Sequence, residues 1–210
     1  MTENYITEQE SFWAGSFGNE YIDRNKSDEL LASNLNFFSK ALAKIQPVSN
    51  VIEFGANIGM NLKALSLLFP RKLFSGIEIN KLAASQLSNL IGKENVFNCS
   101  IFDFSPINTY DLAFIKGVLI HINPNQLDLV YQKLYASSHK YILIAEYYNP
   151  SPVMIPYRGN NDRLFKRDFA GEMLNKYPDL ILVDYGFTYR NDPVFPQDDI
   201  TWFLLEKTND

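Results

Sequence analysis

Residues 50–61 read Asn50-Val51-Ile52-Glu53-Phe54-Gly55-Ala56-Asn57-Ile58-Gly59-Met60-Asn61. The apolar run Val51 to Phe54 has the length and composition of a buried strand; two glycines follow, and Leu62 to Phe69 carries a helical apolar pattern. Strand, glycine turn and helix together let a backbone approach a nucleotide-like ligand. Gly55 and Gly59 have no side chain to obstruct it and tolerate φ > 0, and the helix N-terminus offers free N–H donors. An ordinary βα turn of any α/β protein has the same outline.

A dinucleotide site uses G-x-G-x-x-G, with the pyrophosphate on the helix dipole. Here Asn57 stands where a middle glycine would be, and Glu53 precedes the turn. A carboxylate there opposes a pyrophosphate but can accept hydrogen bonds from a cationic amine. S-adenosylmethionine (SAM) carries such an ammonium group and no phosphate. The segment resembles motif I of the class I SAM-dependent methyltransferases, E/D-x-G-x-G-x-G, with a departure at the middle glycine. The resemblance implies that Glu53, Gly55, Ala56, Asn57 and Gly59 hold the cofactor.

Downstream, Lys72 to Asn80 reads as a second strand ending in an acid. Glu78 falls close to the interval of about 20 residues at which βαβ folds place a carboxylate on ribose hydroxyls, so Glu78 and Ile79 are expected at the cofactor. A solvated charge at a strand end is the plainer alternative. Asn80 to Leu90 predicts a helix with Leu82, Ala83, Leu87 and Leu90 inward, and Asn95 to Asn98 a short third strand. The loop that follows brackets the adenine in class I methyltransferases, a role the resemblance gives to Ser100, Ile101 and Phe102.

Tyr110 to Ile122 is a continuous apolar run that predicts a central parallel strand, buried on both faces. It resembles motif IV of the same family, D-x-x-x-x-x-G-V-L-x-H-I, which places Lys116, Gly117 and Val118 beside the reacting methyl. His121 suits a general base on a hydroxyl or amine, with an ordinary pKa of about 6.5, although in relatives the position often only packs on the cofactor. Glu146, at the end of the strand from Tyr141, is the other candidate base.

Residues 1–26 include Phe12-Trp13-Ala14-Gly15-Ser16-Phe17-Gly18-Asn19-Glu20-Tyr21, too glycine-punctuated for a long helix and too aromatic for a disordered tail. They are expected to form a lid, with Tyr21 and Arg24 on the SAM carboxylate, since Arg grips a carboxylate through two parallel N–H bonds. Surface pairing of Arg24 with Asp23 or Asp28 is the alternative. Ser27 then predicts an N-cap, followed by the stripe Leu31, Leu35, Phe38, Leu42 and Ile45 of a helix that Pro47 stops.

The region 149–168 shows no core pattern but is dense in charge and amide, and reads as an acceptor loop. Tyr147, Tyr148, Asn149, Tyr157, Arg158, Asn160, Arg163, Lys166 and Arg167 are the expected acceptor residues, suited to a carboxylate, phosphate or sugar nucleotide. A solvated loop is the alternative. A helix over Phe169 to Tyr177 and strands over Leu180 to Tyr185 and Ile200 to Glu206 complete the pattern.

The stretches F-W-A-G-x-F-G-N-E-Y-I-D-R-N at 12–25 and P-Y-R-G-N-N-D-R-L-F-K-R-D-F-A-G-E at 156–172 resemble the methylases associated with pseudaminic acid biosynthesis, bacterial enzymes encoded among genes for nine-carbon α-keto acid sugars. The resemblance implies SN2 methyl transfer from SAM to O or N of a small anionic sugar-type acceptor, a nonulosonic acid or related amino sugar. It implies an α/β, Rossmann-like class I methyltransferase fold: a seven-stranded, mostly parallel sheet with helices on both faces. One domain is expected over 1–210, with a lid and helix at 1–46 and the SAM-binding core at 47–210.

Composition agrees with a globular domain, at 210 residues, 46% hydrophobic and 20% charged. A net charge of −5 offers no basic field for nucleic acid. Cys99 is the single cysteine, so no internal disulfide forms. The N-terminus lacks the pattern of a signal peptide, and Lys116 interrupts the longest apolar run short of the roughly 20 residues that span a bilayer; a cytoplasmic protein is expected. No H-E-x-x-H or cysteine cluster predicts a metal. Two other function classes fit the outline: a SAM- or nucleotide-binding protein without transferase activity, serving as sensor or complex subunit, and an NAD-linked oxidoreductase, which Glu53 and the missing glycine oppose.

Overall fold

The computed structural model describes residues 5–22, 26–157 and 160–208 and, of Tyr157 and residues 160–163, the backbone alone. The opening stretch forms β1 (Asn50–Phe54), which pairs in parallel with β2 (Leu73–Ile77) on one side and with β4 (Tyr110–Lys116) on the other. With β3 (Val96–Phe97), β5 (Ser138–Glu146), β8 (Leu180–Phe187) and β9 (Thr201–Lys207) they make a seven-stranded sheet in the order β3-β2-β1-β4-β5-β9-β8. β9 runs antiparallel to both of its neighbours. The order reverses between β1 and β4, and a crevice opens outside the carboxyl ends of the strands at such a switch point.

Alternation along the strands divides the interior in two, because successive side chains leave a strand on opposite faces. Val51, Leu112, Phe114 and Leu143 meet α3 (Asp28–Ala41) and α4 (Met60–Leu68). Ile52, Phe54, Ile115 and Ile144 face the other way, toward α6 (Leu127–Ser137) and α7 (Phe169–Lys176). Covering both faces explains why these strands read as unbroken apolar runs.

Local signals set several boundaries. Ser27 caps α3 by accepting from Leu30 N–H at 3.1 Å. The N-terminal segment forms two short helices, α1 (Glu8–Ala14) and α2 (Ser16–Ile22); a capping box between Thr7 and Glu10 starts the first. In α5 (Lys81–Ile91) the buried stripe is Ala83, Ala84 and Leu87, whereas Leu82 and Leu90, expected inward, are exposed.

Two expectations are corrected. The run expected to be one strand to Ile122 ends at Lys116, because Gly117 takes φ +68° and Leu119–His121 closes into a 3₁₀ turn. The segment expected to be an irregular loop contains a hairpin of β6 (Val153–Tyr157) and β7 (Asn160–Lys166), seated on the core through Leu164 and Phe165. Among the described residues no helix is long and apolar enough to cross a membrane.

Candidate functional site

The turn after β1 is held by the next strand. The N–H groups of Gly55 and Ala56 both donate to the Ile77 carbonyl at 2.9 Å. Gly55 has φ +76°, and a Cβ there would stand 2.6 Å from Val118 Cγ2. Asn57 is left-handed at φ +48°, and its N–H donates to Glu78 Oε2 at 2.7 Å. The other carboxylate oxygen, Oε1, accepts from Asn80 N–H at 2.7 Å. Two strand ends are thus tied through one buried acid. Burial pushes the Glu78 carboxyl up to about 7, against the lowering effect of its backbone donors.

A cavity of about 530 Å³ opens over these groups, within the range of roughly 300–1,000 Å³ usual for small-molecule sites. The structure brings together on its wall Tyr21, Gly55, Ala56, Asn57, Glu78, Ile79, Ser100, Ile101, Phe102, Lys116, Gly117 and Val118, all expected at a cofactor. His121 lines it as well. Its ring lies 4.8 Å from that of Trp13, which brings the N-terminal helices over the crevice. Asn80 fastens those helices: its amide N–H groups donate to Trp13 O, Ala14 O and Asn19 Oδ1 at 3.3, 3.4 and 2.8 Å. Its Oδ1 meanwhile caps α5.

Other expected residues are placed elsewhere. Glu53 lies beneath the wall, 1% exposed, with Oε1 accepting from Asn61 Nδ2 at 2.6 Å and Oε2 without a partner. Burial pushes its carboxyl up to about 8. Gly59 faces α5, where a Cβ would meet Leu87 Cδ1 at 2.6 Å, so its missing side chain serves helix packing. Arg24 lies outside the described residues.

Glu146, expected as a base, is 2% exposed and lies off the cavity wall. Its carboxylate accepts from the N–H groups of Val118, Leu119 and Ile120 at 2.9, 2.9 and 3.4 Å, holding the turn that carries His121. With its lone pairs committed to backbone, it acts as an anchor for that turn. Burial pushes its carboxyl up to about 7.

Of the expected acceptor residues whose side chains are described, Tyr147, Tyr148, Asn149, Lys166 and Arg167, none lines the cavity. Lys166 Nζ sits 5.2 Å from the centre of the Tyr147 ring, and Arg167 Nε donates to Glu172 Oε1 at 2.7 Å. Asn149 donates to Ser151 O at 2.5 Å, and Tyr148 and Arg167 border a shallow depression with Phe169 and Phe203. The described part of the hairpin packs on the α6–α7 side of the sheet and against the turn Leu119–His121. Arg158 lies outside the described residues, as do the side chains of Tyr157, Asn160 and Arg163.

A polar corner of the wall escaped the sequence reading. Asn34, from α3, is 1% exposed, and its Oδ1 accepts from Lys116 Nζ at 3.3 Å and from Gln197 Nε2 at 2.7 Å. Gln197 is 8% exposed, and its Oε1 has no hydrogen-bond partner. Lys116 is partly buried, 5.3 Å from the Phe37 ring, and makes no ion pair with a described residue. Burial pulls its pKa down, while Glu53, Asp198 and Glu146 act in the opposite direction. A signal existed for Asn34: it shares the i, i+3, i+4, i+7 stripe of Phe37, Phe38 and Ala41. Nothing in the sequence around Gln197 marked it.

The charged side chains of the described wall are Glu10, Glu78 and Asp198 against Lys116 and Arg190. Acids exceed bases on it by one, and burial raises one of those acids, Glu78, to about 7. No group of histidine, cysteine and acidic residues able to hold a metal is found among the described residues.

No family model matches the chain, and no curated protein matches it. Solved structures do. A methyltransferase of Burkholderia thailandensis, 1,6-didemethyltoxoflavin-N1-methyltransferase with bound 1,6-didemethyltoxoflavin and S-adenosylhomocysteine, is 14% identical, with a TM-score of 0.71 over 95% of this chain and 87% of its own. A SAM-dependent methyltransferase of Leishmania major is 14% identical, with a TM-score of 0.69 over 95% and 81%. Magnesium protoporphyrin IX methyltransferase of Synechocystis, with bound SAM, is 10% identical, with a TM-score of 0.67 over 97% and 99%. At these identities the likeness shows the fold: a Rossmann-like α/β sheet of the class I methyltransferase type.

Proposed function

We propose that the chain is a SAM-dependent methyltransferase acting on O or N of a small-molecule acceptor. The observation that carries this is the Glu78 carboxylate, set on the cavity wall by the N–H groups of Asn57 and Asn80. A carboxylate has about four lone-pair sites, so acceptor capacity remains beyond its backbone donors for a ribose hydroxyl. The residues present fit SAM: Glu78 would take a ribose hydroxyl, and Ser100, Ile101 and Phe102 the adenine. SAM, when bound, supplies a methyl group on a positively charged sulfur.

The protein's own contribution is chiefly alignment of acceptor and methyl. Gly117 leaves the end of β4 open, since nothing lies within 4 Å of where its Cβ would be. Trp13 and Tyr21 help exclude water from above, and Glu146 fixes the turn from Val118 to Ile120. His121, on the wall, takes the acceptor's proton. The narrower acceptor, a nonulosonic acid or related amino sugar, draws on the resemblance at 12–25 and 156–172. Lys166 and Arg167, which would serve such an anion, are engaged with Tyr147 and Glu172 outside the cavity.

Calorimetry with S-adenosylhomocysteine (SAH) and transfer from labelled SAM to a panel of neutral and anionic small molecules test the proposal. Binding of SAH with transfer to at least one class is expected. Binding without transfer to any would favour a non-catalytic SAM-binding protein, and affinity for NAD in place of SAH would overturn the reading.

A further inference from the structure

Asn80 is 3% exposed, and each of its polar groups is committed to a different part of the molecule. Its N–H donates to Glu78 Oε1 at 2.7 Å, on the cavity wall. Its Oδ1 accepts from the N–H groups of Leu82 and Ala83 at 3.0 Å each, which uses both lone pairs and caps α5. The amide nitrogen is thereby turned the other way, onto Trp13 O, Ala14 O and Asn19 Oδ1 of α1 and α2. A glycine permits this approach: a Cβ at Gly18 would stand 1.9 Å from Trp13 O and 2.8 Å from Asn80 Nδ2.

The two helices so fastened belong to the cavity more than to the core. Thr7, Gln9, Glu10, Trp13, Gly18 and Tyr21 line its wall, whereas no described residue of α1 or α2 joins either of the two buried apolar clusters of the sheet. An element held by polar contacts rather than by core packing opens at a low free-energy cost. The fastening sits beside Glu78, after β2, but the Trp13 ring reaches to 4.8 Å from that of His121, after β4. β1 lies between those strands, so α1 spans the mouth of the crevice.

We propose that Asn80 is a positioning residue that latches α1 and α2 over the cavity as a lid, and that lid docking and ligand occupancy are coupled through it. A ligand touches Trp13 and Tyr21 only while the lid is docked, so it favours the docked state; releasing the latch loosens the ligand in return. The ligand leaves when the lid lifts. The same docking sets the Trp13 ring against His121, so the state of the latch is legible at the imidazole. That the ligand is SAM rests on the methyltransferase reading; the latch itself rests on the geometry around Asn80.

The test uses Asn80→Asp, which keeps an acceptor for the α5 cap and the N–H to Glu78 but offers the lid no donor. Its companion is Asn19→Leu, which removes the nearest lid acceptor, at 2.8 Å, and adds no charge near Glu78. In both variants the amides of residues 8–22 are expected to exchange hydrogen about tenfold faster, the worth of about one buried hydrogen bond, while those of 83–91 hold. SAH is expected to slow exchange at 8–22 in the wild type and to dissociate about tenfold faster from both variants, read by stopped flow. The chain has two histidines, and the ring resonances of His121 are expected to shift in both variants while those of the exposed His139 stay in place. Unchanged exchange at 8–22 would overturn the latch. So would a gain spread equally through α5, which would reduce Asn80 to a helix cap. Faster exchange with unaltered SAH dissociation and an unmoved His121 would overturn the coupling. A wild type without affinity for SAH, whose lid still loosens in both variants, would sink the methyltransferase reading and leave the latch standing.

Discussion

The backbone N–H of Asn57 donates to Glu78 Oε2 at 2.7 Å, so the glycine turn after β1 and the end of β2 are joined before any ligand arrives. The bond favours the ionised acid, but burial outweighs it and pushes the carboxyl up to about 7. Ligand hydroxyls that donate to it favour the ionised form.

Replacing Glu78 by alanine is therefore expected to weaken SAH binding about tenfold to a hundredfold, the range for one hydrogen bond to a charged group. In the wild type, SAH affinity should rise as pH is raised through about 7, with proton release on binding at pH 6.5. Calorimetry in buffers of different ionisation enthalpy reads that release. An affinity indifferent both to the substitution and to pH would remove Glu78 from the site.

Stability should run against the usual pH trend. Glu53, Glu78 and Glu146 are raised to about 8, 7 and 7 from an ordinary 4.5. Between those values the folded chain holds protons that the unfolded chain has released, so stability falls as pH rises through the window. The unfolding midpoint is expected to be lower at pH 8.5 than at pH 5.5, and Glu53→Gln is expected to flatten the slope. Thermal scans decide it; a midpoint that climbs over this interval contradicts the burial of these acids.

Two glycines of similar backbone conformation should differ in what an added methyl meets. Gly117→Ala at φ +68° has open space around it and is expected to lose only the left-handed penalty, about 1–2 kcal/mol. Gly55→Ala adds a contact with Val118 at 2.6 Å and is expected to lose about 1–3 kcal/mol more. Urea unfolding measures both. Turnover in Gly117→Ala should fall more than stability accounts for, because its methyl enters the cavity.

His121 and Glu146 separate a base from an anchor. His121→Ala is expected to lower turnover about 10²- to 10⁴-fold while SAH affinity holds, and to abolish the acid-side limb of the pH–rate profile. Glu146→Ala strands three buried N–H groups and is expected to lose about 3–5 kcal/mol of stability, leaving the shape of that profile unchanged. Normal turnover in His121→Ala would dismiss it as the base.

The half of the site built from the parallel strands was legible because its chemistry follows a backbone path. Gly55, Asn57 and Glu78 occupy positions that strand, turn and helix fix by spacing, and the run at Ser100–Phe102, expected from the family resemblance alone, lines the same wall. The other half was not. Asn34 and Gln197 are 163 residues apart and meet only in the folded chain. At 156–168 charge density implied a binding loop; the described part of that stretch forms a hairpin whose adjacent Leu164 and Phe165 are buried. Glu146 looked catalytic because an acid at a strand end faces ligand in many α/β folds; here the turn after β4 needed an acceptor and took it.

β9 enters the sheet from the edge at which the parallel strands leave it, and so delivers the preceding stretch, with Arg190, Gln197 and Asp198, to the mouth of the cavity. Thr188 fastens that stretch at its base by donating to Asp198 O at 2.7 Å, next to the start of the strand. Grafting a different run of amino acids above this fastening could retune which molecule is modified while leaving the nucleoside wall untouched.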